Sequence, residues 1–165
     1  MVPSFKNLAG LTIAFAAMVT ASKHEDPATK LCSDGHFVGS CAYPGLKFVD
    51  TNLGMYCLND ETALFGYNWT WIDLNKCLTN SDGKLFPSSF GGYANSCNNC
   101  SVSTNAGAHL ACDCLTQPGK DRTSTSIDLN TLIYNTGGAM GCCDTMGTKT
   151  WKGPQADFLL QKGHH

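Results

Sequence analysis

A short motif that occurs twice constrains this chain more than any other feature. Ile72-Asp73-Leu74-Asn75 recurs as Ile127-Asp128-Leu129-Asn130, so the spacing between the two copies is 127 − 72 = 55. Each copy is followed by a turn that contains Asn and Gly, at residues 80–83 and 135–138. Two copies of a motif, each followed by the same kind of turn, predict two related structural units. Within each copy, Ile and Leu would share one face of a strand, and Asp and Asn would cap a short helical turn or hold a bend.

The segment 1–21 has the pattern of a secretory signal peptide. Lys6 supplies positive charge, residues 8–19 are apolar, and Val19-Thr20-Ala21 offers the small residues of a cleavage site. Cleavage after Ala21 would leave residues 22–165 as the mature chain. The apolar run is shorter than the roughly 20 residues of a membrane span. We therefore expect a secreted, extracellular protein without a membrane segment after cleavage, with residues 22–31 as a flexible leader.

All ten cysteines follow the predicted signal peptide, at positions 32, 41, 57, 77, 97, 100, 112, 114, 142 and 143. An even number of cysteines in a small secreted chain predicts a disulfide framework. The alternative is a zinc site formed by Cys97, Cys100, Cys112 and Cys114. An oxidising compartment favours disulfides, so we expect no bound metal.

Charge excludes one class of partner. The chain has 11 Lys and Arg against 13 Asp and Glu, with no basic run, so it lacks the electrostatic signature of a nucleic-acid-binding protein. Its polar surface must be built from Asn, Ser, Thr and Gly. These residues suit ligands rich in hydroxyl groups, although they are equally common in loops.

Short apolar runs separated by Gly, Asn and Asp predict strands and turns, and no window longer than ten residues holds a helical period. Residues 80–83 have the signature of a hairpin turn, and residues 86–92 contain the Pro and paired Gly of a linker. The predicted domain therefore has repeats at 32–87 and 88–143, followed by an extension at 144–165. The predicted runs cover residues 46–49, 53–58, 64–72, 97–102, 108–115, 123–129 and 132–134.

Aligning the two repeats also aligns their cysteines. The positions of Cys41 and Cys57 differ by 57 − 41 = 16, those of Cys97 and Cys114 differ by 114 − 97 = 17, and each pair brackets a turn. Partners across an antiparallel hairpin have a constant index sum, and 97 + 114 = 211 while 100 + 112 = 212. We therefore predict the disulfides Cys41–Cys57, Cys97–Cys114 and Cys100–Cys112. The partners of Cys32, Cys77, Cys142 and Cys143 stay open.

The order of these motifs, used twice, resembles the cyanovirin-N homology family of lectins. The second repeat is the closer match, in Asn95-Ser96-Cys97, residues 110–114, residues 124–130 and Asn135; the first matches mainly over residues 71–90. The resemblance implies an all-β fold with two pseudo-symmetric halves that exchange strands between repeats. It also implies a lectin that binds mannose-containing glycans, with no catalysis and no cofactor.

Each half would carry one shallow sugar site at its far end. The resemblance places the better site at Asn80, Asp82, Ser88, Asn95, Ser96, Thr116 and Gln117. The family pattern has an acid where this chain has Asn95, a base at Gln117 and a Thr at Ser96. The weaker second site would use Ser40, Asn59, Asp60 and Asn135, with Gly137 where the pattern has an Asp. Losing that carboxylate removes the strongest acceptor for sugar hydroxyls.

Several residues have a simpler structural interpretation. Asn80 and Asp82 suit a tight turn even without a ligand. Trp69 and Trp71 could stack on sugars, but alternation puts both on one face of a strand, which favours the core. Asn68 and Asn99 lie in glycosylation sequons.

The competing hypothesis is a cysteine-rich secreted interaction protein, an effector or inhibitor, that keeps the fold and does not bind sugar. The departures at the second site and the unmatched extension motivate it. The chain would be a monomer, or a dimer that exchanges strands through residues 86–92.

Overall fold

The structure is a computed structural model that describes residues 32, 35–59, 66–105, 107–117 and 121–150. Over these residues the chain forms β-strands and short 3-10 turns, so the predicted all-β fold is confirmed. Within these ranges, none of the helical segments could span a membrane. The predicted signal peptide and leader, residue Asp60 and residues 151–165 lie outside the described residues.

Each repeat forms a three-stranded antiparallel sheet, then a 3-10 turn, then a two-stranded hairpin. The first repeat contains β1 (Cys41–Val49), β2 (Asn52–Leu58), β3 (Tyr67–Asp73), a turn at Leu74–Lys76, β4 (Leu78–Ser81) and β5 (Lys84–Pro87). The second contains β6 (Cys97–Ser103), β7 (His109–Leu115), β8 (Arg122–Asp128), a turn at Leu129–Thr131, β9 (Ile133–Thr136) and β10 (Ala139–Cys142). Two short strands follow, β11 (Thr145–Met146) and β12 (Thr148–Thr150).

The hairpins are exchanged between the repeats. Hairpin β4–β5 packs on the second sheet, where a Cβ on Gly83 would lie 2.5 Å from Cγ2 of Thr123. Hairpin β9–β10 packs on the first sheet, where the Met140 N–H donates to Oγ1 of Thr70 at 3.1 Å. We call β1–β3 with β9–β10 half A, and β6–β8 with β4–β5 half B. Each half therefore needs both repeats, as the resemblance implied.

The Ile-Asp-Leu-Asn motif ends a strand and starts a 3-10 turn in both repeats. The carboxylate of Asp73 accepts the Asn75 N–H at 3.0 Å, and that of Asp128 accepts the Asn130 N–H at 2.9 Å. Each carboxylate thus caps its turn and satisfies a backbone donor that the turn leaves free. The motif is a structural element, as its residue types predicted.

The Asn of each motif holds the start of the other repeat. The backbone carbonyl of Asn75 accepts the Gly92 N–H at 2.7 Å, while its Oδ1 accepts the Ala94 N–H at 3.0 Å. Oδ1 of Asn130 accepts the Val38 N–H at 3.1 Å in the same way. These bonds fix the 3-10 turns that lead into β6 and β1, Tyr93–Asn95 and Phe37–Gly39, and they therefore set the relation between the halves.

Five disulfides join all ten cysteines. The three predicted pairs are present. The four cysteines left open pair as Cys32–Cys143 and Cys77–Cys142. These disulfides join the beginning of the domain, and the end of the turn at Leu74–Lys76, to the end of β10. The cysteines considered for zinc instead form Cys97–Cys114 and Cys100–Cys112.

The β6–β7 hairpin contains the one-residue register shift that the positions of its cysteines predicted. Cys97 pairs with Cys114, but Ser101 pairs with Ala111, so the register shifts between them. Asn99 lies in this β-bulge with φ of 51°. The bulge lets both disulfides staple the same pair of strands.

The core runs between the sheets and is built from alternate strand residues and the disulfides. Trp69 and Trp71 are 1% and 2% exposed, so the prediction that they belong to the core is confirmed. Their rings meet edge to face with centroids 5.5 Å apart. Other large buried side chains are Phe37, Leu53, Met55, Ile72, Leu74, Leu78, Tyr93, Leu110, Leu129 and Leu132.

The extension after Cys143 adds a strand that the sequence did not reveal. β12 pairs with β3 and becomes the fourth strand of the half A sheet, in the order β1-β2-β3-β12. In half B the equivalent strand, β8, is the last of the described strands in its sheet, in the order β6-β7-β8. The two halves therefore differ at this edge.

Candidate functional site

A cleft of about 360 Å³ lies at the far end of half B. Elements from both repeats form it: the β4–β5 turn, the 3-10 turn before β6 and the end of β7. Six of the seven residues predicted for the better site line this cleft. The complete lining is Asn80, Asp82, Asn95, Ser96, Leu115, Thr116 and Gln117.

The β4–β5 turn carries the only acidic side chain of the cleft lining. Asp82 and Gly83 have φ of 50° and 79°, both in the left-handed region, between the paired residues Ser81 and Lys84. Two successive left-handed residues give the turn that matches the twist of a hairpin. Asp82 is exposed, and its carboxylate has no hydrogen-bond partner among the described residues.

Asn80 fixes the turn against the second repeat. Its Nδ2 donates to Oγ of Ser96 and to the Leu115 carbonyl, both at 2.9 Å, and its Oδ1 accepts the Gly83 N–H at 2.9 Å. Both amide hydrogens are therefore used within the protein. Asn80 positions the cleft, and its side chain has little capacity left for a ligand.

Arg122 braces Ser96 and β7. Its Nη1 donates to the carbonyls of Ser96 and Asp113 at 3.0 and 2.9 Å. The Ser96 carbonyl also accepts the Leu115 N–H at 3.0 Å. Ser96 is thus held by its backbone and by its hydroxyl, which fixes the entry of β6. Sequence reasoning missed Arg122, whose side chain acts on carbonyls that no motif identifies.

Thr116 closes the loop after β7. Its N–H and its hydroxyl both donate to the carbonyl of Asp121, at 3.1 and 3.0 Å. The hydroxyl oxygen keeps lone pairs that can accept from a ligand. Leu115, the cleft residue that the sequence did not indicate, contributes its backbone carbonyl to Asn80.

Three side chains of the cleft remain available for a ligand. Asp82, Asn95 and Gln117 are exposed, and no hydrogen bond among the described residues engages their side-chain polar atoms. The carboxylate offers acceptors, and the two amides offer both donors and acceptors. The cleft therefore combines a rigid frame with three free hydrogen-bonding groups, which suits a neutral ligand rich in hydroxyls.

Ser88 does not line the cleft, contrary to its predicted place. Its N–H donates to the Cys77 carbonyl, and its hydroxyl accepts the Phe90 N–H at 3.2 Å. Ser88 follows β5 at the open end of the hairpin, beyond the Leu78–Pro87 pair. At ~3.3 Å per residue it lies roughly 10 Å along the strand from the level of Asn80.

The second site has the same frame as the first. Nδ2 of Asn135 donates to the Leu58 carbonyl at 2.9 Å, and its Oδ1 accepts the Gly138 N–H at 3.1 Å. Gly137 takes the left-handed conformation of Asp82, with φ of 53°. The frame is therefore complete, but the turn carries no carboxylate.

The other predicted residues of the second site offer less to a ligand. The hydroxyl of Ser40 donates to the Phe37 carbonyl at 3.3 Å. Asn59 is only 3% exposed, whereas its counterpart Thr116 is half-buried. Asp60 lies outside the described residues. The described part of the site therefore has a buried amide where half B has an accessible hydroxyl.

The two sequons differ in exposure. Asn68 is 5% exposed, and its Nδ2, the atom that a glycan would modify, is buried without a hydrogen-bond partner among the described residues. A glycan at Asn68 is incompatible with this packing, because Nδ2 also lies 3.0 Å from the Cβ position of Gly138. Asn99 is exposed and donates to Oδ2 of Asp113 at 3.0 Å, and its glycosylation stays a prediction.

Tyr93 is a buried titratable residue at the start of the 3-10 turn before β6, Tyr93–Asn95. Burial, followed by the nearby charge of Asp73, raises its pKa from 10.0 to about 12. Its hydroxyl has no hydrogen-bond partner among the described residues. The equivalent residue of the first repeat, Phe37, is equally buried and has no hydroxyl.

The fold and this twofold arrangement define a member of a known class. A family model described as CVNH domain matches residues 37–141. The chain belongs to the CVNH family, and the resemblance inferred from its motifs is confirmed. A search of curated proteins finds no match.

Solved structures of CVNH proteins share the fold. A variant of MoCVNH3 in complex with (N-GlcNAc)4 is 16% identical, with a TM-score of 0.56, covering 67% of this chain and 99% of that one. Microvirin in complex with mannobiose is 21% identical, with a TM-score of 0.53, covering 66% and 98%. GzCVNH of Gibberella zeae is 20% identical, with a TM-score of 0.56, covering 66% and 98%.

Proposed function

We propose that this protein is a secreted lectin that binds mannose-type glycans through the cleft of half B. One observation carries the proposal: Asp82, Asn95 and Gln117 present free polar groups in a cleft whose other polar residues are already held by internal hydrogen bonds. A preorganised site loses little conformational entropy when a ligand binds.

Sugar hydroxyls match the chemistry of these three residues. Adjacent hydroxyls of a pyranose can donate to the two oxygens of the Asp82 carboxylate. Hydrogen bonds to a charged acceptor are shorter and stronger than neutral ones. The amides of Asn95 and Gln117 can each donate and accept, which suits hydroxyls that do both. The cleft is open, so we expect weak affinity for a single sugar unit.

The comparisons support a carbohydrate ligand. Microvirin was solved with mannobiose, and the MoCVNH3 variant with an N-acetylglucosamine oligomer. We infer binding without catalysis, because the cleft is lined by one carboxylate, amides and hydroxyls, with neither His nor Cys to act as base or nucleophile.

Secretion is supported by two features of the chain. The segment 1–21 has the charged, apolar and small-residue regions of a signal peptide. All ten cysteines form disulfides, which persist mainly in oxidising compartments. Mass spectrometry of the protein secreted by its own cells should find an N-terminus at Ser22. An intact Met1 on the mature protein would contradict this.

Glycan-array binding of matched variants tests the proposal. Asp82→Asn removes the charge and keeps a residue that tolerates the left-handed turn. Asp50→Asn is the control, because Asp50 is also exposed, with φ of 55° in the β1–β2 turn of half A. We expect Asp82→Asn to weaken binding to oligomannose about tenfold or more, and Asp50→Asn to leave it unchanged. Absence of oligomannose binding by the wild type at millimolar ligand would refute the function, and equal binding by Asp82→Asn would refute the site.

A further inference from the structure

A second groove of half B lies between β5 and β8 and has no place in the proposed sugar site. Its volume is about 280 Å³. One wall is residues 83–86 of the hairpin, and the other is residues 123–126 of β8. Phe86, in the first of these walls, is 46% exposed. The groove thus lies between two strands that belong to different sheets.

The corresponding place in half A is filled by the chain's own extension. β12 runs antiparallel to β3, with Thr148 opposite Trp71 and Thr150 opposite Trp69. Gly147, just before β12, donates its N–H to the Met140 carbonyl of β10 at 2.7 Å. The segment 147–150 therefore bonds to both elements between which it lies.

The repeat spacing of 55 residues shows that the groove corresponds to the place that residues 147–150 occupy in half A. Trp69 and Trp71 correspond to Ser124 and Ser126, since 124 − 69 = 126 − 71 = 55, and Met140 corresponds to Leu85, since 140 − 85 = 55. These three half B residues all line the groove. The groove is the half B counterpart of the seat that residues 147–150 occupy in half A.

The edge of β8 can form backbone hydrogen bonds with an added strand. Its sheet is ordered β6-β7-β8, so no other strand of the described residues pairs with the side of β8 that faces the groove. Among the described residues, no backbone hydrogen bond joins β8 to β5. Such an edge can accept an added strand through its main chain.

We propose that this groove binds an extended segment of a partner protein, which adds to the edge of β8 as β12 adds to β3. The first requirement on the segment is a glycine. In half A, a Cβ on Gly147 would overlap the Trp71 carbonyl oxygen and lie 2.8 Å from that of Met140. The partner therefore needs a residue without a side chain where it passes Leu85.

The second requirement follows from charge. β10 pairs Gly141 with Met146, and Gly147 bonds to Met140. Extending this register by one residue would bring Thr148 to the level of Ala139, since 141 + 146 = 139 + 148 = 287. Ala139 corresponds to Lys84, since 139 − 84 = 55. Lys84 is exposed and is the charged residue among those that line the groove. An acidic residue directly after the glycine would meet its ammonium group, so the preferred partner carries a Gly-Asp or Gly-Glu step in an extended segment.

A synthetic peptide tests the proposal directly. The probe is Thr-Met-Gly-Asp-Lys-Thr with blocked ends, which is the sequence of residues 145–150 with aspartate in place of Thr148. Added to the ¹⁵N-labelled, oxidised full-length protein, it should shift the amide signals of residues 84–86 and 123–126. The matched control has N-methylglycine in place of glycine, which removes the N–H equivalent to that of Gly147 and should abolish the shifts. Asp82→Asn should bind the peptide like the wild type, because the sugar cleft takes no part.

Charge reversal gives the second test. Lys84→Glu should weaken binding of the peptide by up to about fivefold, and a peptide with lysine in place of its aspartate should recover that loss. The proposal is overturned if millimolar peptide shifts no signal in the groove, if the N-methylglycine peptide binds equally well, or if the shifts lie along β3 instead. Shifts of the groove residues on addition of mannobiose, with none from the peptide, would also overturn it in favour of a sugar subsite.

Discussion

Asn80 and Asn135 make the same pair of hydrogen bonds in opposite halves of the molecule. Each Nδ2 donates at 2.9 Å to a leucine carbonyl of the other repeat, that of Leu115 or Leu58. Each Oδ1 accepts an N–H of its own turn, from Gly83 or Gly138. One difference separates them: Asn80 also donates to the hydroxyl of Ser96. The same frame therefore supports two ends that differ in what they present to a ligand.

Truncating these two residues should separate stability from binding. Asn80→Ala and Asn135→Ala each remove bonds between the repeats, and we expect each to lower the free energy of unfolding by about 1 to 3 kcal/mol in urea denaturation. Only Asn80→Ala should also weaken oligomannose binding, because only half B carries the complete cleft. A similar loss of binding in Asn135→Ala would place the working site in half A.

Restoring the missing carboxylate should give half A some affinity. Gly137 already has the backbone conformation of Asp82, with φ of 53° against 50°. We expect Gly137→Asp, made in the Asp82→Asn background, to bind oligomannose weakly, with shifts in the NMR signals of residues 135–138. Gly137→Asn in the same background is the uncharged control and should not bind. Equal behaviour of the two variants would show that the carboxylate is not the deciding group.

The buried phenol of Tyr93 makes stability depend on pH in the alkaline range. Its pKa is about 12 in the folded chain against 10.0 for the ordinary side chain, so the folded state holds the proton more tightly. Below pH 10 this difference in pKa contributes its full amount, roughly 3 kcal/mol, to the free energy of unfolding. The contribution is lost as the pH rises from about 10 to about 12. Urea denaturation at closely spaced pH values measures this fall.

Tyr93→Phe is the matched control for that fall. It copies Phe37, the buried counterpart in the first repeat, and removes a hydroxyl that has no hydrogen-bond partner among the described residues. We expect a variant at least as stable as the wild type at pH 7, with a smaller loss of stability above pH 10. An unchanged alkaline profile would mean that other groups cause the fall.

Asp73 and Asp128 should contribute different amounts to the free energy of unfolding. The carboxylate of Asp73 caps its turn and also accepts the Thr51 hydroxyl at 2.7 Å, whereas that of Asp128 caps its turn through the Asn130 N–H. We expect Asp128→Ala to cost about 1 kcal/mol of unfolding free energy and Asp73→Ala about 1 kcal/mol more. Thr51→Val should remove most of the difference in a double-mutant cycle. Equal costs for the two aspartates would show that the Thr51 bond adds nothing.

The repeat made much of the fold predictable. Once the two Ile-Asp-Leu-Asn copies were aligned, the strand runs, the hairpin turn at residues 80–83 and the disulfides Cys41–Cys57, Cys97–Cys114 and Cys100–Cys112 followed from local rules. The remaining disulfides did not, because Cys32–Cys143 and Cys77–Cys142 span 111 and 65 residues and depend on how the halves pack. β12 was missed because an edge strand of three residues has too short a pattern to recognise.

The site was predictable in its residues but not in their roles. Six of seven predicted residues line the cleft, since motif positions fix where the turns lie. Sequence could not show that the amide of Asn80 is used internally, or that Arg122 braces Ser96, because both depend on carbonyls brought close by the fold. Ser88 was misplaced because the distance along the hairpin decides its position.

A titration of the ¹⁵N-labelled, oxidised protein with mannobiose, followed by NMR, tests whether the cleft of half B binds sugar. We expect saturable shifts of the amide signals around Asp82, Asn95 and Thr116, and no such shifts around Asn135 and Gly138. Saturable shifts confined to half A, or none in either half at millimolar sugar, would contradict it.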